Sequence, residues 1–144
     1  PRKIIEVDLA TGDHTVIASA TYDSSAPIES LFFPVGLDVD PGTGDIVIAD
    51  AFARKIWRMT PTVGAPLNEL SADSDFLQPT HVAIQGSLAS GFVFVTDAKA
   101  GAPAGQILLH RIDPSMPSAS NSQMFALDGF FDEPRGLEVL PAVP

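Results

Sequence analysis

Cysteine is absent from the 144 residues, which excludes disulfides and thiolate metal sites and leaves the redox compartment open. Bases are scarce: 8 Lys and Arg face 18 Asp and Glu, for a formal net charge of -10. Such a balance repels phosphate, and no cluster of bases offsets it, so neither nucleic acid nor an anionic membrane is an expected partner. No apolar run approaches the roughly 20 residues that span a bilayer, and no basic start followed by a hydrophobic stretch marks a signal peptide. Helical spacing of apolar residues is missing throughout, which predicts an all-β chain. What is present is ample core material, since hydrophobic residues make up 45% of the sequence. The chain opens at Pro1 rather than methionine, as expected of a processed, trimmed or excerpted product.

The stretch from Phe33 to Pro61 holds the organising pattern. Leu37 and Val39 alternate, Pro41-Gly42-Thr43-Gly44 supplies a turn, Ile46 to Ala49 form a second apolar run that ends at Asp50, and a third run follows around Ile56 to Met59. Strand, tight turn, strand, loop, strand is the reading. Ahead of it, Lys3 to Asp8 and His14 to Ser19 flank an Ala10-Thr11-Gly12-Asp13 turn, which predicts another hairpin. Tyr22 to Ser30 is polar and proline-containing, hence a loop.

These units recur. Lys55 to Thr60 matches Lys3 to Asp8 position by position, and Leu109 to Pro114 continues the series. Phe33-Pro34-Val35-Gly36-Leu37 is echoed around Pro79 and again by Glu133-Pro134-Arg135-Gly136-Leu137, while Ile46 to Asp50 is echoed by Phe92 to Asp97. A period of about 45 to 55 residues carrying four strands is the spacing of propeller blades. The predicted fold class is therefore β-propeller blades: the end of one blade in 1–30, a full blade in 31–75, another in 76–129, and the first strand of a further blade in 130–144. About three blades make an arc rather than a closed ring of 4 to 8. The expected partners are accordingly the remaining blades, from the same longer chain or a second copy.

At these residues the chain resembles the NHL-repeat class of six-bladed β-propellers, related in blade layout to the regucalcin, gluconolactonase and streptogramin lyase propellers. Pro34-Val35-Gly36-Leu37-Asp38-Val39-Asp40, Ile48-Ala49-Asp50 and Lys55-Ile56-Trp57-Arg58 carry the likeness. Val95-Thr96-Asp97, Arg111-Ile112-Asp113-Pro114 and Asp8-Leu9-Ala10-Thr11-Gly12 extend it over nearly the whole chain. The resemblance implies a fold more than an activity, because such propellers include hydrolases, lyases and pure binding modules. In the lactonase-type members an aspartate on the Pro-x-Gly turn helps ligate the catalytic metal, and here those positions are Val35, Thr80 and Arg135. None is acidic, which disfavours that chemistry.

First strands of blades line the central channel, so Thr80, His81 and Arg135 are the candidate ligand contacts at its mouth. His81 replaces the glycine of the sister units, Gly36 and Gly136, and such departures from pattern fall at functional or strained sites; a hydrogen-bonded structural histidine is the plainer role. Arg135 can clamp a carboxylate or phosphate, or pair with neighbouring Asp132 or Glu133. Asp50 and Asp97 end second strands, where a carboxylate accepts backbone N–H bonds from the next loop; as weak metal candidates they suit calcium. His14 and His110 read as solvated or packed strand residues, and Trp57 as core between blades. The loop from Ala98 to Gly105 is the longest departure between matched strands and a recognition candidate.

The function expected is an NHL-like binding or scaffold module that recognises a protein, peptide or carbohydrate through loops at one channel mouth, with no cofactor. The alternative is a metal-assisted lactonase or other hydrolase, or a lyase, using calcium and a site shared with further blades. An extracellular or periplasmic setting is preferred.

Overall fold

The computed structural model describes residues 2–19, 31–72, 74, 76–98 and 107–127. Among them every regular element is a strand, and the protein is all-β. Strands β1 (Lys3–Val7) and β2 (His14–Ser19) form a two-stranded sheet. Strands β3 (Pro34–Val39), β4 (Ile46–Asp50), β5 (Lys55–Met59) and β6 (Asn68–Ser71) form a four-stranded one. Strands β7 (Pro79–Gln85), β8 (Phe92–Asp97), β9 (Ile107–Ile112) and β10 (Ser122–Leu127) form the third. Within each sheet every strand pairs antiparallel with its neighbour in sequence, so both larger sheets are up-and-down meanders of blade-like form.

One loop chemistry makes two of the hairpins. Asp8-Leu9-Ala10-Thr11-Gly12-Asp13 and Asp40-Pro41-Gly42-Thr43-Gly44-Asp45 share the pattern D-x-x-T-G-D and close in the same way. The first aspartate's N–H donates to the last residue's carbonyl (2.9 and 2.8 Å), and the glycine N–H donates back to the first carbonyl (2.7 and 2.8 Å). The threonine hydroxyl accepts from the final aspartate's N–H at 3.2 Å in both. Gly12 and Gly44 hold φ of 79° and 78°, a left-handed conformation that a side chain would strain.

The middle sheet is packed on both faces. Along β4 every residue is buried, because successive side chains alternate between two covered faces. Ile46 and Ile48, with Trp57 and Met59 of β5, meet Ile4 and Ile17 of the first sheet. Val47 and Ala49, with Ile56 and Leu70, meet Val82, Val93, Val95 and Ile112 of the third. Full burial of side chains of this size is worth about 1.5–3 kcal/mol each, so these two seams dominate cohesion.

The first strands of the larger sheets run in backbone contact. A Cβ built on Gly36 would lie 2.5 Å from the Thr80 carbonyl oxygen and 2.8 Å from the His81 Cα. Glycine is needed there because only a missing side chain lets β3 and β7 approach so closely.

Candidate functional site

Two buried aspartates set the geometry at the end where β3 and β7 begin. The Asp50 carboxylate accepts the N–H of Phe32 at 2.7 Å and of Phe33 at 2.9 Å, from the segment ahead of β3. It also accepts Phe52 at 3.2 Å and Ala53 at 3.0 Å, from the loop after β4. Asp97 is held in the same way from the chain ahead of β7, accepting Leu77 at 2.8 Å and Gln78 at 2.9 Å. The expected bonding to the following loop is present at Asp50, the loop after Asp97 lies almost wholly outside the described residues, and both aspartates in addition reach back to the chain ahead of the first strand. A buried carboxylate ringed by amides is a strong fixture, because its charge-assisted bonds are lost together if it is removed.

Calcium does not fit these donors. The oxygens of Asp50 and Asp97 already face amide hydrogens, the turn positions Val35 and Thr80 are not acidic, and no group of three His, Asp or Glu converges among the described residues. No chemical step is therefore assigned to a metal at this end.

Thr80 and His81 lie on β7 as expected. The Thr80 hydroxyl is turned inward to the sheet, 3.1 Å from the Thr96 carbonyl and 2.9 Å from the Thr96 hydroxyl, so it ties β7 to β8. His81 is half-buried and its Nδ1 is enclosed without a hydrogen-bond partner. Arg135 lies outside the described residues, as does nearly all of the Ala98 to Gly105 loop. His14 is exposed on β2; His110 is fully buried, 3.1 Å from the Ser122 hydroxyl and in tilted ring contact with Phe76 at 4.5 Å. Trp57 is interior, between the first and middle sheets.

Sequence reasoning passed over the aromatic residues beside the Asp50 clamp. The Phe32 and Phe52 rings stand 6.0 Å apart at 42°, and the Arg2 guanidinium lies 3.4 Å above the Phe33 ring while donating to the Pro34 carbonyl at 3.2 Å. Phe33 is 40% and Phe52 61% exposed. The available signal was local: Asp50 is flanked by Phe32 and Phe33 across the β3–β4 hairpin and by Phe52 two residues on, whereas Asp97 has Leu77 and Gln78 at the equivalent places. The result is a pair of touching rings, Phe32 and Phe52, and a third ring, Phe33, carrying a cation, all on residues whose backbone N–H groups are held by one carboxylate.

Asp38 and Asp40 were likewise missed, and they join sheets rather than form a site. Asp38 accepts the Ile84 N–H at 2.8 Å, and Asp40 accepts Leu88 at 3.3 Å together with Gly42 at 3.1 Å and the Thr43 hydroxyl at 2.7 Å. Burial alone would raise the Asp40 carboxyl, but the hydrogen bonds from Thr43, Gly42 and Leu88 outweigh it and hold the group below the usual carboxylate range. Farther out, Asn121 donates to the Leu70 carbonyl at 2.7 Å and Ser118 to Glu69 at 2.9 Å.

Comparison with protein-family models, curated proteins and solved structures finds no match.

Proposed function

We propose that this chain is an arc of NHL-like β-propeller blades that serves as a binding or scaffold module for a protein, peptide or carbohydrate. The blade reading is supported by successive antiparallel meanders stacked face to face, with first strands in contact at Gly36 and Thr80. The binding reading rests on one observation: Asp50 anchors the backbone amides of Phe32, Phe33, Phe52 and Ala53, and the side chains of Phe33 and Phe52 at that clamp are exposed. Apolar surface held rigid before a ligand arrives binds with less ordering cost, and loops on a fixed scaffold are where recognition is placed.

Peptide and glycan arrays probed with the labelled chain test this, with Phe52→Ala as the control. Specific capture that falls at least tenfold in the variant is expected; Phe52 is exposed, so the variant folds. Equal capture by both proteins, or no capture of any array member, would overturn the reading.

One observation favours an enzyme instead, namely the enclosed and unpartnered Nδ1 of His81 on the first strand of the third sheet. A lactonase or lyase of this layout would turn over a lactone or polysaccharide panel, and His81→Ala would abolish that turnover. Unchanged rates in the variant would remove this second reading.

A further inference from the structure

Cations at the Asp50 end differ from those along the middle sheet. On β5, Lys55 pairs with Glu69 and Arg58 with Asp45. Arg54, which closes the loop ahead of β5, is exposed and has no carboxylate partner among the described residues. Arg2 is likewise without one among them; its guanidinium lies on the Phe33 ring and gives an N–H to the Pro34 carbonyl. A guanidinium carries several N–H donors, so its remaining edge can still take a carboxylate.

Arg54 also stands where the backbone disfavours a side chain. Its φ is 55°, and among the described residues it is the one non-glycine residue in the left-handed region. The other four left-handed positions, Gly12, Gly44, Gly64 and Gly86, all hold the residue that adopts this conformation without steric cost. Just before Arg54, the Asp50 carboxylate fixes the amides of Phe52 and Ala53, so the loop is held in its strained form. A strained residue kept in place by its surroundings points to a role for its side chain that glycine could not fill.

We propose that Arg54, with Phe52 beside it and Arg2 on Phe33 at the same end, receives an acidic peptide segment: an apolar side chain seats against the rings and an Asp or Glu carboxylate pairs with Arg54. This inference rests on the binding reading and names its ligand class. Guanidinium and carboxylate match as planar forks, and Arg with aromatic rings is a composition enriched at protein interfaces. Geometry and charge both favour a peptide over a glycan. Phe32 and Phe52 are inclined at 42° with centroids 6.0 Å apart, so the pair offers no single flat floor for a sugar ring to stack on. The formal net charge of -10 repels a long uronate polymer, whereas a few acids in an otherwise neutral segment meet chiefly the local cations.

The test is an array of peptides that carry Asp or Glu close to an apolar residue, printed beside copies with Asn or Gln in place of each acid and beside uronate glycans, and probed with the labelled full chain. Acidic peptides are expected to be captured about tenfold better than their amide copies. Arg54→Gly is expected to lose that preference while melting no lower than the original, since glycine relieves the positive φ. Arg54→Lys keeps the charge without the fork and is expected to retain only part of the preference. An unchanged preference in Arg54→Gly overturns the proposal, and so does a preference lost together with a fall in melting temperature, because the role of Arg54 is then structural. Capture of uronate glycans ahead of every peptide also overturns it. Equal capture of acidic and amide copies that still falls in Phe52→Ala overturns the carboxylate assignment and leaves the binding reading standing, whereas no capture of any array member overturns both.

Discussion

The two seams of the middle sheet are built from one set of strands, yet they differ in kind. Toward the third sheet, apolar contact from Val47 to Ile112 is joined by polar links at three depths: Asp38 to Ile84, Asp40 to Leu88, and Asn121 to Leu70. Toward the first sheet, Ile4 and Ile17 cover Ile46, Ile48, Trp57 and Met59, and the described link at the rim is Arg2 to Pro34 with its ring contact on Phe33. The difference teaches that the alternation in β4 specifies two buried faces, while the completeness of each seam is decided by what stands opposite.

The largest effects should be equal on both sides. Trp57→Ala on one seam and Phe76→Ala on the other each remove a side chain that is 1% exposed, and each should cost about 3–5 kcal/mol in chemical denaturation. A Trp57 variant that lost less than about 1 kcal/mol would mean that the first sheet is not a true half of the core. The next comparison lies within one seam. Ile48→Ala should cost about 2–5 kcal/mol, and Leu37→Ala, its ladder partner, under about 1 kcal/mol. Equal losses would show that Leu37, 50% exposed here against 0% for Ile48, is covered in solution.

Gly36→Ala probes the other seam and should cost about 1–3 kcal/mol, because the new methyl meets backbone of Thr80 and His81 rather than a movable side chain. Gly12→Ala, with open space around it but φ of 79°, should cost about 1 kcal/mol from backbone strain alone. Thermal melts of both variants would reverse this ranking if β3 and β7 were not in contact.

The residues explain how far the sequence could be taken. Hairpins at Lys3 to Ser19 and at Pro34 to Asp50 were legible because alternation and the D-x-x-T-G-D loop are local signals, and the repeated Asp at the end of β4 and β8 announced a fixed turn. Trp57 as core followed from the strand pattern. Partners far apart in sequence were not legible: nothing around Asp38 indicates that its oxygen meets the Ile84 N–H 46 residues on, and nothing around Thr80 indicates that its hydroxyl turns to Thr96. The Phe33 and Phe52 platform also escaped notice, since phenylalanine near a strand ordinarily reads as core and only exposure marks it as surface.

The smallest effect separates the seams by pH. Asp40 belongs to the fuller seam, and its carboxyl is held below its ordinary value of 3.8 by hydrogen bonds that outweigh the cost of burial. A group depressed in the folded state stabilises it fully above the unfolded value and loses that contribution as pH falls through the folded value. Stability should therefore decline below about pH 4, with Glu69 and Asp113, also held low, adding to the slope in the same direction. In Asp40→Asn the amide cannot titrate and accepts at one oxygen only, so the variant should be weaker at neutral pH and lose less on acidification. Urea midpoints at pH 7 and pH 3 measure this directly. A variant with the same acid slope as the original would mean that the Asp40 carboxylate is not held by Thr43, Gly42 and Leu88 in solution, and that the polar fastening of the fuller seam rests on Asp38, Asn121 and Ser118.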